Sequence, residues 1–490
     1  MTLTINTNYF DRLIEIKNDP TKKLAVLGLG VENWQFVSWV VEVAGLKASQ
    51  LILIDQRDTL VIPPQYSKLE KINQAEYVGG AGDLKWFVTN NAELVVKAPG
   101  IWSLKPELNT YREKHGADSI ISSLTFFVER FRSSIIGVTG TKGKTTTCSL
   151  ITHFLKDSKL NKQIEYCGNT TNISPYKFWT GLKDKLEDYI FVMELSSFQL
   201  QDFGMSHLSP KFSGITNYYI DHLDQHDNEE EYHSAKSNIF RYHKLGDTII
   251  LPDYIRDNQF LVSANPELIN NPNYSIVCPN INDITNYKTN LRGEHNRSNI
   301  ATALLLVKSV FESYGLGSEL TPEYIQSKLN TFEPPKGRLE LIKTFVKSGV
   351  NFNFYNDNTA TEPDAVCACI KTLTQNADKL ILIIAGKVKQ GNYSKLVETL
   401  SSYKNSILVI HYCGQVGNKL QEMQNLISKQ QSLKNLLISD WDYNKLIQDY
   451  NLKEGFNINI ALSPGGSSLD EFANYIERGQ LYLDWISNQK

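Results

Sequence analysis

The stretch from Ser134 to Ile151 carries the residue types that handle phosphate. A short apolar run, Ile135-Ile136-Gly137-Val138, leads into Thr139-Gly140-Thr141-Lys142-Gly143-Lys144-Thr145-Thr146, and an apolar helical pattern follows. A strand, a glycine-rich turn and a helix N-terminus in that order surround an anion with backbone N–H groups. Lys144 would bring a point charge to the outer phosphates, and the Thr145 hydroxyl would reach a magnesium ion. The loop is shorter than G-x-x-x-x-G-K-T, because Val138 stands where the first glycine would and Gly140 lies only three residues before Gly143. An ordinary glycine-rich turn with a solvated lysine would need neither the strand before it nor the helix after it. The loop therefore implies a bound nucleoside triphosphate, ATP foremost.

Other candidates lie downstream. Glu194 ends the apolar run YIFVMELSS, where a charge is costly to bury unless it is paired or metal-bound. The segment TNYYIDHLDQH brings Asp221, His222 and Asp224 just after another apolar run; His222 is either a metal ligand or a polar loop residue. Lys236 falls in the helical pattern EEEYHSAKSNIF, where a lone lysine is ordinarily solvated. Nearer the N-terminus, Gly28-Leu29-Gly30-Val31-Glu32-Asn33 has two glycines of a dinucleotide fingerprint and lacks the third, with Asp55 at the end of the next apolar run. A plain strand-to-helix turn and a nucleotide site both fit it.

Three blocks of alternating strand and helix signals must position these groups. The first, residues 1–132, has strands over Lys22–Gly28, Leu51–Asp55 and Leu94–Gly100, a βαβ pattern that argues for a parallel sheet. The second, 133–336, has strands at Ile135, Tyr189–Ser197, Phe212–Tyr218 and Asp247–Asp253, then a loop that becomes an apolar helix over Leu291–Val310. Pro334 and Pro335 mark a linker and a hinge. The third, 337–490, has strands over Phe352–Asp357, Lys379–Gly386, Ser406–Gly414 and Phe456–Gly466. The expected fold is α/β with three domains: a Rossmann-like N-terminal domain, a central P-loop ATPase-type domain and a C-terminal Rossmann-like domain, with ligands beyond the carboxyl ends of the strands.

Bulk properties narrow the class. A chain of 490 residues is long enough for about three domains, and 41% hydrophobic with 21% charged residues is ordinary for a globular enzyme. A net charge of −3 leaves no basic footprint for nucleic acid. Six scattered cysteines, with no C-x-x-C pair, fit reduced thiols in a cytoplasmic setting. The first twenty residues carry acids and lack the apolar core of a signal peptide, and no apolar run reaches the length of a membrane span.

Taken in order, GTKGKTT, CGN, MELSSFQL, NYYIDHLDQH, AKSNIF, GEHNRSN, GRLE, YNDNTATEPDA and LSPGGSSLDEF resemble the Mur ligases, and ELSSFQL with LSPGGSSLDEFANYIERG resembles their glutamate-adding branch. The resemblance covers nearly the whole chain. It implies an ATP-dependent, ADP-forming amide ligase with small-molecule substrates, UDP-N-acetylmuramoyl-L-alanine and glutamate, two Mg²⁺ ions, and a monomeric state.

It also implies roles by position. Gly140, Thr141, Lys142, Gly143, Lys144, Thr145 and Thr146 would hold the ATP phosphates, with Thr145, Glu194, His222 and Lys236 (as a carbamate) around the metal, and Lys144, Glu194, His222 and Lys236 would carry catalysis. Asn296 and Asn299 would face adenine, Arg338 the phosphates and Asp357 the ribose. Gly30, Val31, Asp55, Gln56, Arg57, Asn169 and Ser196 would hold the uridine substrate, and Thr361, Lys389, Ser468, Leu469 and Tyr475 the glutamate.

Departures from the family pattern cluster at the amino-acid pocket. S-K-A-T is Asn358-Thr359-Ala360-Thr361, so a lysine is lost; G-N-x-G is Gly168-Asn169-Thr170-Thr171; the family's Phe is Tyr475; and GGDGK is Ala385-Gly386-Lys387-Val388-Lys389, which leaves the register of Lys387 and Lys389 open. The resemblance implies that the amino acid added is D-glutamate; L-glutamate and another Mur-type amino acid are the alternatives at these altered residues, while LSPGGSSLDEF and the N-terminal nucleotide block speak against a folylpolyglutamate-like reaction.

Overall fold

The computed structural model describes residues 8–488 except 70, 81–83, 169–172, 182–185, 219–227, 257–274, 376, 389–392, 428–436, 439–452, 469–471 and 473. They form two compact units, one from the described residues of 1–219, 225–286 and 298–328, the other from those of 287–297 and 329–490.

The first unit contains two sheets. Strands β1 (Leu24–Leu27), β2 (Leu51–Asp55), β3 (Glu76–Gly79), β4 (Leu94–Lys97) and β5 (Ile120–Ser122) pair in parallel in the order β3-β2-β1-β4-β5. Strands β1, β2 and β4 are buried along their whole length, as continuous apolar runs covered on both faces should be. The order reverses between β1 and β4, so the turn Gly28–Asn33 lies at a topological switch point, where such sheets bind ligands.

The second sheet comprises β6 (Ile135–Thr139), β7 (Gln163–Gly168), β8 (Tyr189–Glu194), β9 (Phe212–Ile215), β10 (Thr248–Ile250) and β11 (Ser275–Val277), in the order β11-β10-β9-β6-β8-β7, again parallel. The second unit carries β12 (Glu340–Lys347), β13 (Val350–Asn356), β14 (Lys379–Ala385), β15 (Ile407–Tyr412), β16 (Leu437–Ile438) and β17 (Asn457–Gly465), ordered β12-β13-β17-β14-β15-β16. Only the β12–β13 pair is antiparallel among the described pairings of this sheet.

The expected α/β class and parallel sheets are present. The apolar runs mark the interior strands well, but β3, β7 and β12 escape a search for such runs. These are outer strands with partly exposed, mixed polar sequences. Several expected strands end earlier than their apolar runs, as with β8, which stops at Glu194 because Ser196 caps the helix Ser197–Met205.

Among the contacts between the sheets of the first unit, two sets stand out. One is an aromatic cluster: Phe36 and Trp39 of the helix Val31–Glu42, Phe126, Phe127 and Phe131 of the helix Ser123–Phe131, and Tyr176 and Trp179 from the turn after β7. Trp39 and Trp179 have ring centroids 4.2 Å apart, and Trp39 Nε1 donates to the Trp179 carbonyl at 2.9 Å. Rings this large dominate the energetics of whatever interface they fill. The other is an ion pair. Lys97, last residue of β4, has no exposed side-chain surface, and its Nζ lies 2.8 Å from Oδ1 of Asp202 on the helix Ser197–Met205. Ser103 Oγ also donates to Asp202, and Lys97 Nζ reaches the Ile101 carbonyl at 3.1 Å. Burial pulls the Lys97 ammonium below its ordinary value despite the opposing pull of Asp202.

Removing one partner leaves a buried charge uncompensated, whereas replacing both with apolar groups does not. Lys97→Met should therefore cost about 3–5 kcal/mol of unfolding free energy in urea titrations, and Lys97→Met with Asp202→Leu should recover most of that loss. Equal losses in the single and double variants would contradict this account.

Candidate active site

The phosphate-loop sequence sits where strand, turn and helix geometry requires. Strand β6 ends at Thr139, and the helix Lys144–Leu155 begins directly after Gly143. Gly143 has φ +84°, and an added Cβ would collide with Oδ1 of Asn299. Gly140 has φ +142°, and a Cβ there would meet Oγ1 of Thr216. Both positions therefore need glycine for conformation and for close approach. Lys144 folds back on the loop, its Nζ donating to the carbonyls of Gly140 (2.8 Å) and Thr141 (3.0 Å).

Glu194 stands beside this loop because β8 pairs with β6 in register, Val138 opposite Glu194. The residue is 2% exposed, which decides that its carboxylate needs partners rather than water. Thr145 Oγ1 donates to Glu194 Oε2 at 2.9 Å, and Tyr166 OH donates to the same oxygen at 2.8 Å. Lys236 is buried as well, contrary to the solvated reading; its Nζ donates to the Gly140 carbonyl at 3.1 Å and lies 4.7 Å from the Tyr232 ring centroid. Thr145, Glu194 and Lys236 thus converge on one loop. His222 lies outside the described residues, as do Asn169, Lys389 and Leu469.

The donor set fits a hard cation. A hydroxyl and a carboxylate oxygen lie within hydrogen-bonding distance of each other at the phosphate loop, and magnesium takes few protein oxygens and shares the rest with phosphate and water. Among the described residues no group of three or more His, Cys, Asp or Glu could hold a metal.

Residues not flagged from sequence brace the loop. Asn217 Oδ1 accepts from the Lys142 N–H at 2.8 Å, its Nδ2 donates to the Lys142 carbonyl at 2.9 Å, and its own carbonyl accepts from Thr141 N at 3.1 Å. Tyr232 OH lies 3.0 Å from Thr141 Oγ1. The available signal was position, since Asn217 follows β9 and β9 is the direct neighbour of β6. Asn299 and Asn296 are three residues apart on the helix Glu294–Ser313, and both are buried. Asn299 crowds Gly143, while Asn296 Nδ2 donates to the Arg292 carbonyl at 2.7 Å.

At the first sheet, Asp55 ends β2 and accepts from Leu29 N (2.7 Å) and from Arg57 Nε (2.7 Å). Burial pushes its carboxyl up, but the Arg57 and Leu29 hydrogen bonds outweigh burial and leave it below its ordinary value. The absent third glycine is replaced by Asn33, whose Nδ2 donates to the carbonyls of Leu27 (3.1 Å) and Gly28 (2.9 Å). Gly30 caps the helix Val31–Glu42, and Val31, Gln56 and Arg57 are exposed around it. A cavity of about 270 Å³ opens beside this turn, lined in part by Val31, Glu32, Ser123, Ser196 and Gln199.

In the second unit, Asp357 is buried at the end of β13. It accepts from Ser463 Oγ (2.7 Å) and Leu339 N (3.1 Å), next to Arg338. Asn358 binds Arg478, which is fully buried: Arg478 Nε donates to Asn358 Oδ1 (2.8 Å) and Nη1 to the Gly466 carbonyl (3.1 Å). Lys387 and Ser467 exchange both backbone hydrogen bonds, which holds the turn after β14 against the turn after β17. Ser468 is buried beside them, Thr361 is half-buried at the end of the Asn358–Thr361 turn, and Tyr475 starts the helix Tyr475–Ser487.

Residues 138–307 match the family model described as the Mur ligase middle domain. That stretch, which holds the phosphate loop, Glu194 and Lys236, is similar to a Mur ligase middle domain. Likeness extends along the whole length. A UDP-N-acetylmuramoylalanine--D-glutamate ligase of Ruminiclostridium cellulolyticum is 27% identical over 98% of this chain and 100% of its own, and one of Clostridioides difficile is 26% identical over 96% and 99%. Among solved structures, MurF from Acinetobacter baumannii superposes with a TM-score of 0.52 at 16% identity, over 96% of this chain and 98% of its own. A MurF ligase from Thermotoga maritima, solved in complex with ADP, gives 0.50 at 15% identity over 95% and 98%. The resemblance to the glutamate-adding branch of the Mur ligases holds, and so does the fold.

Burial pushes the Asp357 carboxyl up from 3.8 to about 7, against the Ser463 and Leu339 hydrogen bonds and the Arg338 charge. Between pH about 4 and about 7 the native state keeps a proton that the unfolded chain has released, so this group makes stability fall as pH rises, by at most about 1.4 kcal/mol per pH unit. Above that window its cost is constant. Asp357→Asn should flatten this limb in urea unfolding measured from pH 4 to pH 8; an unchanged slope would show that the group is not protonated in the native state.

Proposed function

We infer that this chain is an ATP-dependent, ADP-forming ligase that adds D-glutamate to UDP-N-acetylmuramoyl-L-alanine, a step of peptidoglycan precursor synthesis. The observation that carries this is full-length likeness to ligases of that name, covering 98% of this chain in one case, together with a phosphate loop set beside Glu194. The protein would work in the cytoplasm as a monomer. Residues 1–132 would take the acceptor nucleotide, 133–336 ATP and 337–490 the amino acid.

The chemistry explains the parts. A carboxylate does not acylate an amine at neutral pH, because oxide is a poor leaving group. Phosphorylation by ATP converts the acceptor's alanyl carboxylate to an acyl phosphate with release of ADP. The amine of glutamate then attacks the acyl carbon, and phosphate leaves. No side-chain nucleophile is needed, so catalysis is positioning and electrostatics. Two Mg²⁺ ions, when bound, would neutralise charge on the transferring phosphoryl group. Thr145, Glu194, His222 and Lys236, the last as a carbamate, would hold them. Lys144 would leave the loop carbonyls for the outer phosphates, and Gly140, Thr141, Lys142, Gly143 and Thr146 would present the loop around them. Asn296 and Asn299 would face adenine, Arg338 the phosphates, and Asp357, when ionised, would accept from the ribose hydroxyls.

The uridine end of the acceptor would lie against Gly30, Val31, Asp55, Gln56 and Arg57, with Asn169 near its pyrophosphate and Ser196 also on the acceptor. Thr361, Lys389, Ser468, Leu469 and Tyr475 would hold glutamate. A second reading, addition of L-glutamate, is favoured by one observation: Thr359 and Tyr475 replace the family's lysine and phenylalanine at that pocket.

Phosphate release with ATP, Mg²⁺ and UDP-N-acetylmuramoyl-L-alanine should depend on D-glutamate. Dependence on L-glutamate alone would move the chain to the second reading, and release with neither would overturn both. Lys144→Ala should lower the rate by on the order of 10²–10³, by analogy with losing one preorganised donor. Turnover equal to that of the unaltered protein would remove Lys144 from the mechanism.

A further inference from the structure

The acid beside the phosphate loop has a hydroxyl partner that none of the sequence motifs contains. Glu194 Oε2 accepts from Thr145 Oγ1 at 2.9 Å and from Tyr166 OH at 2.8 Å. Thr145 belongs to the phosphate loop. Tyr166 stands just before the CGN motif on β7, an outer strand of mixed polar sequence, Gln163-Ile164-Glu165-Tyr166-Cys167-Gly168.

Strand register explains how the phenol reaches the carboxylate. Strands β7 and β8 run parallel, with Tyr166 opposite Val192 and Gly168 opposite Glu194. Residues two apart in a strand point to the same face, and so do residues paired across neighbouring strands. Tyr166 and Glu194 therefore share a face, offset by two residues or about 6.6 Å along the strand. A tyrosine leaning along its strand spans that offset. Serine or threonine would stop short, and phenylalanine would reach without donating. Gly168 has φ +112°, and a Cβ there would strike the Glu194 carbonyl oxygen. That position must be glycine, and it adds no bulk between phenol and carboxylate.

We propose that Tyr166 is a positioning residue for the metal: its hydroxyl sets the orientation of the Glu194 carboxylate and so the affinity for the magnesium that accompanies the nucleotide. The proposal rests on Glu194 being a magnesium ligand, as inferred above. The last torsion of a glutamate is soft, so its carboxylate rotates over a broad range unless something holds it. A hydrogen bond at Oε2 fixes that rotation and with it the direction of Oε1. Of the two hydroxyls on Oε2, that of Thr145 is itself assigned to the ion, and that of Tyr166 is not. The phenol therefore keeps its hold on the carboxylate when the threonine oxygen is shared with a cation. Hydrogen-bond partners of a metal's ligands set its affinity by about 10- to 100-fold.

The test is calorimetric binding of ADP to the full chain, with Mg²⁺ and again with EDTA in its place, for the unaltered protein, Tyr166→Phe, Glu194→Gln and the double variant. Tyr166 is half-buried, and Tyr166→Phe keeps the ring and removes only the hydroxyl; thermal unfolding checks that each variant folds. Magnesium should tighten ADP binding to the unaltered protein. Tyr166→Phe should lose about 10-fold of that tightening, while its ADP affinity in EDTA stays unchanged. Glu194→Gln should lose at least as much, and adding Tyr166→Phe to it should lose nothing more, because the tyrosine acts through the carboxylate. Undiminished tightening in Tyr166→Phe overturns the proposal. So does equal weakening with and without the metal, which a merely structural hydroxyl would give, or a full further loss in the double variant. An unaltered protein that binds no ADP, or whose ADP affinity ignores Mg²⁺, defeats the reading of Glu194 on which the proposal rests.

Discussion

A lysine ammonium with no contact with solvent, matched to a carboxylate almost as dry, fixes the geometry on which the first unit depends. Lys97 ends a strand of the first sheet, and Asp202 lies on the helix that begins just after Glu194. Neither charge can be left alone in that environment, so the two elements have one permitted relation. The helix carries Ser196 and Gln199 at its start and brings them to the cavity beside Glu32. One buried pair thus relates the turn after β1 to the residue at the end of β8 that faces the phosphate loop.

The same logic recurs at smaller scale. Glu194 is satisfied by two hydroxyls, Asp55 by an arginine and a backbone N–H, Arg478 by an asparagine and a carbonyl. Each polar group is buried at the carboxyl end of a parallel strand or on an element packed there. Parallel sheets with helical crossovers hide their middles and leave those ends as the places where side chains meet. The hydrogen bonds among them define the loops' shapes before any ligand arrives, which is the preorganisation that phosphoryl transfer depends on.

Charge differs between the phosphate loop and the cavity of the first unit. The phosphate loop offers backbone donors, Lys142 and Lys144, whereas the cavity near Glu32 offers an acid and neutral donors. In the second unit the exchange of Lys387 and Ser467 backbone hydrogen bonds does its work without charge. It depends on Gly386, whose φ of +105° and closeness to the Ser467 carbonyl leave no room for a side chain.

The sequence alone was sufficient for the α/β class, the interior strands and the phosphate loop, because long apolar runs and a glycine-rich turn are local signals whose meaning does not depend on distant residues. Asp55, Glu194 and the order of the motifs were legible for the same reason. Strands β7 and β12 were not, since an outer strand is half polar and its identity comes from the neighbour it pairs with. Lys97 stands in an apolar run as Glu194 does, and its charge alone could have drawn notice, but its partner could not be known: Asp202 is 105 residues away. Asn217, Tyr166 and Glu32 likewise became meaningful only when the sheets placed them beside the loop, the carboxylate and the cavity. Burial decides whether a polar side chain is idle or essential, and burial is a property of the packed chain rather than of any stretch of it.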